Sequence, residues 1–225
     1  MRPLRLTAAG LLLTLAAAGC SSGSAPASNR FETPAASGSS PAAGAPASPS
    51  KAAVSYTFPV VGKSDYSREH HDYPATDILA ACGSRVVAVT SGKVLAVTLV
   101  DRWKRSVNAG DTRGGLSVSI LGDDGVRYYG SHLSAIDDSV RPGARVTGGR
   151  PIGKVGDTGD ASACHLHFGI SPPCDEQGDW YTQRGTVWPW RYLDSWRKGG
   201  HRSPVAEVTA WQHKHGCPRT ATVDP

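Results

Sequence analysis

Two histidines one residue apart, His165 and His167, form the first pair in this chain able to do metal chemistry. They lie in Ala163-Cys164-His165-Leu166-His167-Phe168-Gly169-Ile170, a run with the length and composition of a strand. Strand side chains alternate, so both imidazoles face one side, roughly 6–7 Å apart. One can bind a metal while the other faces a substrate, and imidazole is the commonest nitrogen ligand of zinc. An isolated pair of this kind is more often two solvated surface side chains. Its meaning depends on whether the chain supplies a third ligand, a carboxylate and a general base.

Those companions are present. Asp77 follows Pro74, and two consecutive histidines, His70 and His71, precede it. His132 stands in Tyr129-Gly130-Ser131-His132-Leu133-Ser134. The frame that must position them consists of short apolar runs at 85–90, 93–99, 116–121 and 126–130. Ser91-Gly92 and Asp124-Gly125 have the composition of hairpin turns. Glycines recur through 141–159, where short strands must turn sharply. The chain has 26 Gly and 16 Pro against 3 Phe and 1 Met, which favours turn-rich β structure over a helical bundle. No long 3.6-residue period appears before about residue 190. The expected fold class is mainly β, an antiparallel sheet with long loops. The polar stretch 101–115 is a candidate groove wall, with a disordered hairpin end as the alternative.

Residues 1–19 read as an export leader, with Arg2 and Arg5 ahead of a short apolar stretch at 6–18. That stretch is too short to span a bilayer stably. Small residues directly before Cys20 resemble a bacterial lipobox, although Ala17 stands where Leu is usual. Acylation of Cys20 would hold the protein on the outer face of the membrane. Ordinary cleavage after Ala16-Ala17-Ala18 is the alternative. Residues 20–53 are the lipidated cysteine and a Ser/Ala/Pro tether without the apolar mass to fold. The formal charge of +5 suits an anionic wall polymer or headgroup surface, or simple solubility. No Lys/Arg-rich run signals nucleic acid.

In order, Asp77-Ile78, Ser91-Gly92-Lys93-Val94, the His132 segment, Gly153-x-x-Gly156-x-Thr158-Gly159 and His165-Leu166-His167-Phe168-Gly169 resemble the lysostaphin/LytM-type zinc endopeptidases, peptidase family M23. The similarity runs over roughly residues 56–171. It implies an antiparallel β-sheet peptidase domain, placed at 54–200, that cuts peptide cross-links of bacterial peptidoglycan. It also implies Zn2+ bound by an early His, Asp77 and His167, with His132 and His165 as the catalytic pair. No HExxH helix is present, so base duty falls to those two imidazoles. The family places its first histidine four residues before the aspartate, where this chain has Tyr73. The even offset puts His71 on the Asp77 face of an extended backbone, with His70 as the fallback if the chain bulges. Domains with this likeness that lose metal ligands act instead as regulators of other wall hydrolases. The ligand types are all present here, which favours a monomeric enzyme at the cell envelope, lipid-anchored on the extracellular face. A small-molecule-binding lipoprotein would need two α/β lobes.

After Cys20, four cysteines remain, and an even number in an exported domain suggests two disulfides. Three pairings are open. If Asp77 and His167 meet at one metal as the family implies, Cys82 and Cys164 come close, and Cys174–Cys217 would staple the tail. Cys164 as a zinc thiolate is the rival, on the wrong strand face for it. Trp180, Trp188, Trp190, Tyr192 and Trp196 crowd a segment that reads as a short helix near Pro189. They suit packing over the sheet better than an aromatic wall for substrate. In the extension 201–225, His213 and His215 repeat the pair spacing without a carboxylate and read as surface.

Overall fold

The computed structural model describes residues 53–174 and 179–218. The leader, Cys20 and the tether lie outside the described residues. The short apolar runs form strands β1 (Ser64–Tyr66), β2 (Thr76–Ala80), β3 (Arg85–Val87), β4 (Gly92–Thr98), β5 (Leu116–Gly122), β6 (Arg127–Ile136), β7 (Arg145–Val146), β8 (Pro151–Val155) and β9 (His165–Ser171). Helices α1 (Trp180–Gln183), α2 (Trp190–Trp196) and α3 (Val205–His215) follow. The strands join in the order β1-β2-β9-β6-β5-β4-β7, while β8 pairs with β6 and β3. Every pairing is antiparallel. This is the mainly β sheet with a helical C-terminal segment that the sequence implies.

The register of three strands positions the chemistry. β9 lies between β2 and β6, with Asp77 opposite His167 and His167 opposite Ser131. Side chains directly across a ladder share a face, so these three point one way. The alternate residues Ile78, Leu166, Phe168 and Ile170 point the other way into the core. Each is at most 3% exposed, and such burial contributes about 1.5–3 kcal/mol per side chain. The β5–β6 connection turns through Asp124 and Gly125, as expected. Ser91-Gly92 does not close a hairpin, because β3 leaves β4 and pairs with β8. The reason is burial: Val86, Val87, Ala88 and Val89 are all inside, with no face left for solvent.

The aromatic segment divides. Tyr192 and Trp196 are core, and Trp196 stacks on Tyr56 at 5.1 Å between ring centroids. Val208 carries α3 into the same core, and Tyr192 Oη donates to Glu207 at 2.5 Å. His213 and His215 sit on α3, where two residues turn the side chain by about 200°. They face apart, and His215 stacks on Trp211 at 4.7 Å.

The disulfides are Cys82–Cys164 and Cys174–Cys217. The first ties the end of β2 to the start of β9, the second the segment after β9 to the end of α3. Cys82 and Cys164 are 82 residues apart, so the link removes about 4–5 kcal/mol of denatured-state freedom in the chain-entropy model. Cys82→Ser with Cys164→Ser should therefore lower the urea-unfolding free energy by about 3–5 kcal/mol. A loss below ~1 kcal/mol would show that the link does not constrain the denatured chain.

Candidate active site

His70, Asp77, His132, His165 and His167 line one cavity of about 300 Å³. Ser131, Arg113, Gly114, Tyr73, Trp180 and Arg184 complete much of its wall. The stretch 101–115 is thus a wall at its end, through Arg113 and Gly114. Gly159 makes this approach possible: at φ +74, a Cβ there would stand 2.1 Å from the Arg113 carbonyl.

His167 lies between two acceptors. Its Nε2 is 3.0 Å from the carbonyl of Arg184, and its Nδ1 is 3.0 Å from Asp77 Oδ1. A carbonyl only accepts, so Nε2 carries a hydrogen, and Nδ1 of a neutral ring presents a lone pair to a carboxylate. A proton or a metal ion between Nδ1 and Asp77 satisfies both atoms. Gly169 leaves room for this grip, since a Cβ there would lie 2.4 Å from Arg184 O.

The other rings are oriented by main-chain carbonyls. His70 Nδ1 donates to Tyr73 O at 3.1 Å, His132 Nδ1 to Thr158 O at 2.7 Å, and His165 Nδ1 to Ala163 O at 2.8 Å. Each bond fixes the tautomer and leaves an Nε2 lone pair. His70 Nε2 stands 3.6 Å, and His165 Nε2 3.7 Å, from Asp77 Oδ1. The His132 and His165 rings are 4.6 Å apart.

His132 reaches the site through a strained backbone. Simple alternation would turn it to the core and Leu133 outward. Instead the β5–β6 register shifts between Leu116 and Val118, and His132 has φ +62. This bulge reverses the alternation: Leu133 is fully buried in the core, and His132 joins Ser131 on the cavity side.

Both upstream histidines reach the cavity, at different depths. The chain bends through 71–74 and becomes a strand only at Thr76, so strand parity does not govern His71. The His70 side chain is 3% exposed, and its ring lies 5.1 Å from that of His167. His71 is exposed on the rim. A ring nitrogen from each histidine and an Asp77 oxygen lie within 4.8 Å of one another. The donors around Asp77, imidazoles and one carboxylate, are of the types that zinc takes.

The electrostatics keep these groups in donor form. Burial, followed by the neighbouring His167, lowers His70 to about 4. Burial lowers His132 to about 4 against the pull of the Thr158 carbonyl. Burial raises the Asp77 carboxyl, but the His167 hydrogen bond and the surrounding imidazoles outweigh it and hold it at about 2.

Residues 71–179 match the family model for peptidase family M23. The domain belongs to that family. Among solved structures, the candidate glycyl-glycine endopeptidase LytM from Ruminococcus gnavus is 21% identical, with a TM-score of 0.50. That similarity covers 67% of this chain and 63% of that one, and it shows the shared fold. The lysostaphin catalytic domain from Staphylococcus simulans is 25% identical over 59% of this chain and 93% of its own, with a TM-score of 0.46. Intact lysostaphin is 24% identical over 67% and 58%, with a TM-score of 0.49. A search of curated proteins found no match. The M23 match opens at His71, one residue after the buried His70.

Several contributors were missed from sequence. Thr158 was visible only as part of a glycine motif, yet its Oγ1 accepts from Leu116 N–H, and its carbonyl aims His132. Arg184 carried no signal, because its contact with His167 is through the main chain.

His70 and His132 make stability depend on pH. Their folded pKa of about 4 lies below the ordinary 6.5, so their contribution is complete above pH 6.5 and is lost as pH falls towards 4. Asp77, lowered from 3.8 to about 2, acts only below this window. Calorimetry on metal-free protein should show Tm falling from pH 6.5 to 4. His132→Asn, which tolerates positive φ, should reduce the slope; an unchanged slope would exclude His132 as a source.

Proposed function

We propose that this chain is a zinc metalloendopeptidase that hydrolyses peptide cross-links of bacterial peptidoglycan. One observation carries the reading: three groups able to hold a metal and two further imidazoles, their tautomers fixed by carbonyls, line a single open cavity. His70 through Nε2, Asp77, and His167 through Nδ1 would hold the zinc. When bound, zinc polarises the scissile carbonyl and acidifies a water.

His132 and His165 perform the proton work. Each presents an Nε2 lone pair, able to take the proton of an attacking water and return it to the leaving amine. A protonated ring also donates to the developing oxyanion, a role often worth ~2.7–4 kcal/mol. Ser131 and Gly114 line the same cavity. Acylated Cys20 and the tether place the domain at the membrane's outer face, within reach of the wall. The matched family and the intact site support an enzyme over a regulatory module.

The test is zinc analysis and digestion of purified peptidoglycan by the protein without its leader. His70→Ala and His167→Ala should each lose zinc, while His71→Ala retains most of it. Zinc loss from His71→Ala alone would move the ligand to the rim. Zinc binding without cleavage products would support the regulatory reading. Gly169→Ala should weaken zinc affinity about 10–100-fold by displacing the carbonyl that orients His167; equal affinity would mean the grip is not needed.

A further inference from the structure

Arg184 is a buried arginine in the cavity wall with no counterion among the described residues. It closes α1, and its guanidinium carbon lies 3.9 Å from the Tyr73 ring centroid and 4.4 Å from that of Tyr181. The residue is 8% exposed, and its Nε is buried without a hydrogen-bond partner. On the same wall, Trp180 Nε1 is also buried without an acceptor. Arg127 shows the usual arrangement in this protein: at 4% exposure it bonds Asp179 at 2.8 Å and Ser171 at 2.9 Å. A guanidinium removed from water without an anion is costly. Stacked tyrosines cover its faces and stiffen it, but they leave its edge, where a fork of N–H donors fits a carboxylate.

We propose that Arg184 is a specificity residue that binds a free carboxylate of the substrate peptide, close to the scissile bond. This rests on the reading of the cavity as a peptidase site. Asp72, Asp77 and Asp160 line the same cavity, and none forms an ion pair with Arg184 among the described residues. A carboxylate ligand is therefore repelled elsewhere and directed to the Tyr73–Trp180–Arg184 wall. The enzyme would select stem peptides that carry a free carboxylate beside the cleaved bond over uncharged bridges.

Calorimetric binding to the zinc-loaded protein tests this with a stem tripeptide ending in a free carboxylate and with its C-terminal amide. The acid should bind about tenfold more tightly than the amide, as expected for a charge-assisted hydrogen-bonded pair. R184Q should abolish the preference and R184K should keep part of it. Equal binding of acid and amide to the unmodified protein, which requires no variant, overturns the proposal, as does a preference that survives R184Q. A preference in a protein that cuts no peptidoglycan would sustain the carboxylate site and sink the enzymatic reading. Cleavage without a preference would do the reverse.

Discussion

The position of His167 between Arg184 O and Asp77 is the constraint on which the rest of the site depends. One side of the pinch requires β2 and β9 to pair with Asp77 opposite His167. The other requires the main chain after α1 to lie against β9, where Gly169 admits it. A slip of one residue between β2 and β9 would turn Asp77 from the cavity to the core. The same slip would expose Ile78, now fully buried. The apolar contacts of the core and the polar contacts of the site therefore enforce one register, and neither can be lost alone.

Around that pinch, three more imidazoles are aimed by carbonyls from three separate segments, at Tyr73, Thr158 and Ala163. Main-chain acceptors cannot rotate away, so tautomers and ring angles are set by folding rather than by ligand. This is the preorganisation that makes polar catalysis effective. It also transfers the demand for order to loops, which are mobile unless tied. The ties are visible: Cys82–Cys164 anchors the entry to β9, and Thr158 Oγ1 donates to Leu133 O while accepting from Leu116.

What the sequence revealed follows from the range of each interaction. His165 and His167 were readable as a pair because strand alternation is local, and Asp77 because an ordered set of motifs surrounds it. Strand parity does not decide between His70 and His71, because parity needs extended backbone and the bends at 71–74 supply none. Ser91-Gly92 had turn composition without a turn's partner, because the burial of 86–89 sends β3 to a different neighbour. The bulge at His132 was invisible, since nothing in Ser-His-Leu announces a left-handed histidine. Carbonyl contacts, such as that of Arg184, carry no side-chain identity and leave no mark in the residue types.

That last point separates two tasks within one cavity. The candidate metal ligands and the two further imidazoles come from residues 70–167, almost all within the M23 match, while Trp180 and Arg184 of the wall follow it. The wall meets the candidate ligands through the Arg184 carbonyl on His167, which any residue at that position would provide, and through the guanidinium stacked on Tyr73. A fold arranged this way can change what it grips at residues 180–184 without altering how His167 is held. A guanidinium with no counterion among the described residues is a feature that catalysis alone would not require.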